Sequence, residues 1–291
     1  MHKDFTFQGP DGNFHCIDWG GSGPLTYMAH ATGFCAGMYG PLAERLLPFL
    51  KVVGMDDRGH GRTEAPADPH TLMNWDIFVR DLERFLETFR EPVIAIGHSR
   101  GGTVSMFLAV KRPDLIRALI LLDPTILPYS WMWWWFLAKK AGLAKFVPIA
   151  YRAAKRRYTW PDREAVLKSY RGKNSFRLWK EGFLDAYVQE GMEEDGKGKV
   201  RWACNPAWES RCFATCPHDV WQYVPRVPCP TLLLYGAKSD TFLAPAAKRF
   251  KIKLPRAKLI ALPETSHFVP MERPDETREM IFNFLREKGI R

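Results

Sequence analysis

A serine, a histidine and two aspartates stand where a hydrolytic site could form in this sequence. Ser99 is the centre of a Gly-His-Ser-Arg-Gly segment (97–101) that follows an apolar run and precedes a helical pattern. In such a strand–turn–helix the glycines permit a tight reversal, and the serine oxygen is left accessible. A serine hydroxyl is a poor nucleophile alone, so it needs a histidine base and an acid that orients the histidine. The pattern therefore predicts nucleophilic catalysis at Ser99.

The base and the acid are sought in loops at the carboxyl edge of a parallel sheet, where ligands meet such folds. His267 follows the apolar segment 258–262 and is the predicted base. Asp240 follows the apolar segment 232–235 and is the predicted acid, while Asp123, which ends the strand after the serine, is the alternative. His60 lies in a glycine-rich loop and is interpreted as scaffold.

Strand and helix patterns alternate on both sides of a long central segment. This alternation predicts an α/β fold, with a mostly parallel twisted sheet of about eight strands flanked by helices. The strand pattern stops between residues 125 and 220, where four helices are predicted at 131–141, 145–158, 162–170 and 175–190. We therefore predict a core of residues 1–124 and 221–291, with a helical cap of residues 125–220 inserted after the sixth strand.

Composition narrows the classes of function. The chain has 291 residues and a net charge of +10, without a nucleic-acid-binding motif or an apolar run long enough to span a membrane. Six scattered cysteines and the absence of a secretory signal predict reduced thiols and a cytoplasmic location, with neither metal nor cofactor. The densest basic segment, 139–157, lies among aromatic residues, which would also suit peripheral contact with a membrane surface or lipid aggregates.

Together these motifs resemble the α/β-hydrolase superfamily, in the branch that carries a helical cap after the sixth strand. The resemblance covers the loops 30–37 and 56–61, the Ser99 turn, and the segments 236–240 and 267–270. The chain order of Ser99, Asp240 and His267 is the order expected of that superfamily. An Asp nucleophile would indicate an epoxide hydrolase or a haloalkane dehalogenase instead.

An oxyanion hole of backbone N–H groups is expected beside the nucleophile. The N–H of Arg100, the residue after the serine, is one predicted donor. The resemblance places the second in the loop after the third strand, where His30-Ala31 replaces the usual His-Gly pair. Phe34 is the predicted second donor and Ala31 is the alternative. The Arg100 side chain is expected to pair with Asp56 or Asp57, or to meet an anionic substrate group.

The aromatic segment 131–137 bears on the substrate. Its residues could pack the cap on the core, or Trp131, Trp134 and Trp135 could roof a pocket for an apolar acyl or aryl group. The sequence therefore predicts a serine hydrolase that cleaves carboxylic esters with an apolar acyl or aryl group through an acyl-enzyme, so that the partner is a small-molecule ester substrate. A C–C bond hydrolase, a thioesterase and a lactonase are alternatives on the same residues, and a non-catalytic ligand-binding protein is the alternative from another class.

Overall fold

The computed structural model describes residues 2–290, and its first part alternates strands with helices. These elements are, in chain order, β1 (Lys3–Gly9), β2 (Gly12–Gly20), β3 (Leu25–Ala29), α1 (Gly40–Leu46), β4 (Lys51–Met55), α2 (Asp76–Leu86), β5 (Val93–His98), α3 (Arg100–Lys111) and β6 (Ile116–Leu122). The strands are rich in β-branched and apolar residues, as the sequence pattern required.

Next comes a stretch that is mostly helical. Its elements are α4 (Tyr129–Lys140), α5 (Pro148–Ala154), β7 (Thr159–Trp160), α6 (Arg163–Arg171), α7 (Phe183–Gly191), β8 (Met192–Glu194), β9 (Val200–Trp202) and α8 (Pro206–Ala214). Helices were expected over the segments that contain α4 to α7, but helix α8 and the three short strands, which form an antiparallel sheet in the order β7-β9-β8, were not. Strands of two or three residues are too short to show a hydrophobic period. The division into a core and a cap at 125–220 remains our proposal, and we call residues 125–220 the cap.

The alternation resumes after the cap. The last elements are β10 (Thr231–Gly236), α9 (Ala244–Lys253), β11 (Lys258–Leu262), α10 (Val269–Glu272) and α11 (Pro274–Glu287). Within residues 2–290, no helix has the length and apolar composition needed to cross a bilayer.

One eight-stranded sheet carries the core, in the order β1-β2-β4-β3-β5-β6-β10-β11. In this sheet β2 pairs antiparallel with both β1 and β4. The remaining neighbours, in the order β4-β3-β5-β6-β10-β11, are parallel. The predicted fold class is therefore confirmed. Successive side chains of β5 point to opposite faces: Ala95 packs beneath α2 and α3, whereas Ile96 packs beneath α1 and α11. Both faces are covered, as a parallel sheet requires.

This strand order determines where a site can form. Ser99 comes directly after the carboxyl end of β5. Strand β6 lies beside β5 in the sheet, and β10 and β11 come next in order. The loops after β6, β10 and β11 therefore converge at the same edge as Ser99.

Candidate active site

Ser99 occupies a strained turn between β5 and α3. Its φ of 54° and ψ of −119° lie outside the regions that side-chain-bearing residues usually adopt. The neighbouring glycines make the turn sterically feasible, because a Cβ on Gly97 would lie 2.5 Å from the Cα of Gly102, and one on Gly101 would lie 2.6 Å from the Ala29 carbonyl oxygen. The sharp turn predicted from the sequence is present.

Asp123 and His267 form a buried hydrogen-bonded pair. The Nδ1 of His267 lies 2.7 Å from Oδ1 of Asp123, whose side chain has no exposed surface. A carboxylate can only accept hydrogen bonds, so Nδ1 carries a proton, and in the neutral ring Nε2 is the nitrogen without one. The Asp123 carboxylate also accepts from the Ser239 hydroxyl, at 2.7 Å, and from the Gly236 N–H, at 2.9 Å. These contacts hold it in one orientation.

The prediction of Asp240 as the orienting acid is wrong in this geometry, and the alternative, Asp123, takes its place. Asp240 is exposed at the mouth of the cavity, where it accepts a hydrogen bond from the Thr241 hydroxyl. Strand β6 lies between β5 and β10, so Asp123, the residue that follows β6, stands beside Ser99. The contact from the loop after β10 is made by Ser239 instead.

Ser99 and His267 line one cavity without a hydrogen bond between their side chains. In residues 2–290 the hydrogen bond of the Ser99 hydroxyl is to the Thr125 hydroxyl, at 3.1 Å. Nucleophile–base contacts are often loose without substrate, and a rotation about χ1 can redirect a serine oxygen. In this structure Thr125 is therefore the partner of the Ser99 hydroxyl.

His98, the residue before Ser99, links three loops of the candidate site. Its Nε2 lies 3.0 Å from the His267 carbonyl oxygen, and its Nδ1 lies 2.7 Å from the Tyr39 hydroxyl. Tyr39 in turn accepts from the Ala31 N–H at 3.1 Å. Burial, and secondarily the nearby His267, lowers the pKa of His98 well below its ordinary value, so the ring is neutral. Nε2–H therefore donates to the carbonyl and Nδ1 accepts from Tyr39.

The second predicted oxyanion donor requires correction. The Phe34 N–H donates to the Ala31 carbonyl at 3.2 Å, and the alternative donor, the Ala31 N–H, is bonded to Tyr39. Within residues 2–290 the Thr32 N–H has no hydrogen-bond acceptor, and Thr32 lines the cavity with Ser99. The Arg100 N–H, at the first position of α3, has no intrahelical acceptor either. The N–H groups of Arg100 and Thr32 are therefore candidates for the oxyanion hole.

The Arg100 side chain points away from the cavity into the core. Its Nη1 lies 2.7 Å from Oδ2 of Asp57, its Nε donates to the Thr32 hydroxyl at 3.0 Å, and its guanidinium stacks 4.2 Å from the Phe78 ring centre. The side chain is fully buried. Of the two predicted roles for Arg100, the geometry favours structural pairing over contact with substrate.

The cavity around Ser99 has a volume of about 600 Å³ and is bounded by core loops and by the cap. It is lined by eight aromatic side chains: Phe34, Trp75, Trp160, Tyr170, Phe176, Tyr187, Phe213 and Phe268. The predicted pocket residues Trp131, Trp134 and Trp135 do not line it. Trp131 and Trp134 are 50% and 71% exposed, and the Trp135 indole donates to the Cys216 carbonyl at 2.7 Å. The sequence pattern could not show that α4 turns these rings away from Ser99.

The cap side of the cavity is also basic. Four cationic side chains line it (Arg152, Arg156, Arg157 and Lys173), against the two acidic side chains Glu209 and Asp240. Arg156 is largely satisfied within the protein, because Nη1 lies 2.9 Å from Glu209 and Nη2 donates to the Tyr187 hydroxyl at 2.7 Å. Arg152, Arg157 and Lys173 are exposed at the rim.

This sheet, with a serine at the sharp turn after β5 and a histidine–aspartate pair beside it, defines the class of α/β hydrolases. The model of the alpha/beta hydrolase family matches residues 27–280. The chain therefore belongs to that family.

Two curated relatives and one solved structure show the range of similarity. A 2-(acetamidomethylene)succinate hydrolase of Mesorhizobium japonicum is 25% identical over 268 residues, which are 91% of this chain and 89% of that protein. The monoglyceride lipase of Rattus norvegicus is 33% identical over 127 residues, about two fifths of each chain. The crystal structure of an E-2-(acetamidomethylene)succinate hydrolase superimposes with a TM-score of 0.83 at 22% identity, covering 98% of this chain and all of that one.

Proposed function

We propose that this protein is a serine hydrolase that cleaves carboxylic esters with an apolar acyl or aryl group through an acyl-enzyme. The observation that carries the proposal is the contact of His267 Nδ1 with the buried Asp123, next to Ser99 and in the same cavity. Aromatic lining supports an apolar acyl or aryl group. The free, buried thiols of all six cysteines support the expected cytoplasmic location.

In the proposed mechanism, Ser99 Oγ rotates from Thr125 toward His267 and attacks the ester carbonyl carbon. Nε2 of His267 takes the serine proton, and the Asp123 carboxylate stabilises the resulting imidazolium. The N–H groups of Arg100 and Thr32 hold the negative oxygen of the tetrahedral intermediate. His267 then gives its proton to the departing alcohol, and water, activated by the same nitrogen, releases the acid from Ser99.

A fluorophosphonate probe and a chain-length series of p-nitrophenyl esters test this function. We expect labelling of Ser99 and hydrolysis that prefers longer or aromatic acyl groups, with both lost in Ser99→Ala. If wild type neither hydrolyses esters nor reacts with the probe, yet binds a ligand tightly, the non-catalytic alternative is correct. If the protein instead turns over a thioester, a lactone or a substrate with a cleavable C–C bond, the proposed roles of Ser99, His267 and Asp123 stand and the proposed substrate class is wrong.

The exposed cations of the cap favour a second candidate, a hydrolase for acyl substrates that carry a carboxylate. One relative is named for a succinate-derived substrate, and Arg152 and Lys173 could pair with such a group at the cavity rim. Mono-p-nitrophenyl glutarate and p-nitrophenyl butyrate differ by one carboxylate and distinguish the candidates. If the second candidate is correct, the glutarate ester has the higher kcat/KM, and Arg152→Gln/Lys173→Gln lowers kcat/KM for that ester alone.

A further inference from the structure

The cap presents a concentration of apolar side chains to solvent, which we call the aromatic face. It consists of Trp131, Trp133, Trp134, Leu137, Leu143, Phe146, Ile149 and Tyr151, each between 37% and 71% exposed. Eight of the thirteen large hydrophobic side chains that are exposed in residues 2–290 thus fall within twenty-one positions. Scattered exposed hydrophobic residues are ordinary, whereas a contiguous group marks an interaction surface.

Helix α4 shows how this face is held outward. Its inner side is anchored: Met132 is buried, and the side chains of Trp135 and Lys139 both donate to the Cys216 carbonyl, at 2.7 and 3.1 Å. At 100° per residue, Trp134 and Leu137 lie on the opposite side. A helix side that met only water would carry charged residues, so this one is suited to an apolar environment.

The rest of the face is joined to α4 by a small core of its own. Ala144 and Ala150 pack with Ala214 of α8, and Trp135 and Val147 pack against that cluster. Residues 129–154 are therefore one packed unit, and the exposed rings of α4 belong to the same unit as Phe146 and Tyr151.

The charge of the segment is entirely positive. Residues 124–161 contain seven Lys and Arg residues and neither Asp nor Glu. Of these seven, only Arg156 has an acidic partner among the described residues. Aromatic rings interspersed with lysines are typical of surfaces that insert at the headgroup level of a bilayer, and unpaired cations attract anionic lipids.

The same charge argues against a second copy of this chain as the partner. Two identical aromatic faces would bring the exposed cations beside them, such as Lys140 and Lys145, close to those of the other copy, and like charges brought together at an interface are repulsive. An anionic lipid surface would neutralise those cations while it buries the rings.

We propose that the aromatic face docks the cap on anionic phospholipid bilayers. Ile149 belongs to this face and also lines the cavity that holds Ser99, as does its neighbour Arg152. The docked surface would therefore border the mouth of the cavity, and an apolar substrate could enter from the lipid side. The docking itself requires no catalysis, so it can be tested whether or not the proposed reaction is correct.

Vesicle flotation with the full chain tests the proposal, with phosphatidylcholine vesicles compared with vesicles containing 30% phosphatidylglycerol. We expect binding to the anionic vesicles that weakens at least fivefold in 0.5 M salt, and a blue shift of tryptophan fluorescence. Trp133→Ser/Trp134→Ser/Leu137→Ser, and separately Lys140→Glu/Lys145→Glu, should each lower the partition coefficient about tenfold or more. Circular dichroism and thermal unfolding establish that the variants remain folded.

Ile252→Ser is the matched control. Ile252 is also an exposed apolar residue, at 66%, and it lies between two lysines, but it belongs to α9, outside the cap. It should bind vesicles as wild type does. The proposal is overturned if wild type ignores anionic vesicles, or if the aromatic triple variant binds them as well as the control does. It is also overturned if light scattering shows a dimer that the triple variant dissociates while wild type fails to bind vesicles.

Discussion

At the scale of single residues, the assignment of the acid has the most direct test. Asp123→Asn should lower kcat roughly 10³- to 10⁴-fold, because an amide cannot hold His267 in the tautomer that leaves Nε2 free. Asp240→Asn should stay within about threefold of wild type, since Asp240 is exposed and does not contact His267. Steady-state kinetics on one p-nitrophenyl ester measures both variants. A larger loss in Asp240→Asn than in Asp123→Asn would restore the acid first predicted from the sequence.

Tyr39 provides a second test at this scale. Tyr39→Phe removes the acceptor of the Ala31 N–H and the donor to His98 Nδ1, which leaves two buried polar groups unpaired. We expect a loss of about 1–3 kcal/mol in the free energy of unfolding. A fall in kcat with an unchanged KM should accompany it, because the loops that carry Thr32 and His267 are no longer held together. Urea unfolding and kinetics are the measurements. Unchanged kcat would mean that the chain of hydrogen bonds is only structural.

At the scale of elements, the ion pair of Arg100 and Asp57 joins the start of α3 to the loop after β4. Arg100→Met leaves the buried Asp57 carboxylate without its charge partner and should destabilise the fold by about 3–5 kcal/mol. Adding Asp57→Asn should recover part of that loss, because the uncompensated charge is removed as well. Denaturant unfolding of the two single variants and the double variant measures the coupling. Additive losses would contradict a direct interaction.

Element positions were predictable where the signal is local. The Ser99 turn, the helix after it and the parallel strands follow from glycine spacing and apolar periodicity, which act over about ten residues. The cap was less predictable. The pattern of 175–190 suggested one helix, whereas the structure has turns up to Gly182, whose φ of 84° interrupts a regular helix, and then α7.

At the scale of the whole molecule, acid should destabilise the fold. Burial lowers the pKa of His30, and lowers the pKa values of His60 and His98 well below the ordinary value. As the pH falls through about 6.5, the unfolded chain takes up protons at these three positions while the folded chain does not. The free energy of unfolding therefore decreases with falling pH, by up to about 1.4 kcal/mol per pH unit for each histidine.

His15 acts in the opposite direction. Burial is the largest single influence and disfavours its charge, but the hydrogen bond to Asp56 and the negative charge of Asp56 together outweigh burial and raise the pKa, so the folded chain binds this proton first. Because its pKa is raised above the ordinary value, its gain in stability is made as the pH falls toward about 6.5 and does not cancel the decline that the other three histidines cause below that pH. Urea unfolding at pH 7.5, 6.5 and 5.5 should show the net decline, and His60→Gln should make the decline shallower. Equal stability at the three pH values would contradict this account.

The sequence by itself determined the fold class, and it singled out Ser99, His267 and the two loops that could supply an acid as candidates, because these predictions depend on short segments and their order. Tertiary structure decided between Asp123 and Asp240, since that choice depends on which strand lies beside β5. Only the tertiary structure shows that the Phe34 N–H donates to the Ala31 carbonyl and that the Trp134 side chain faces solvent. Hydrogen bonds between loops and the orientation of a helix depend on residues that are far apart in the chain. The hydrophobic periodicity of a single segment therefore cannot predict these contacts.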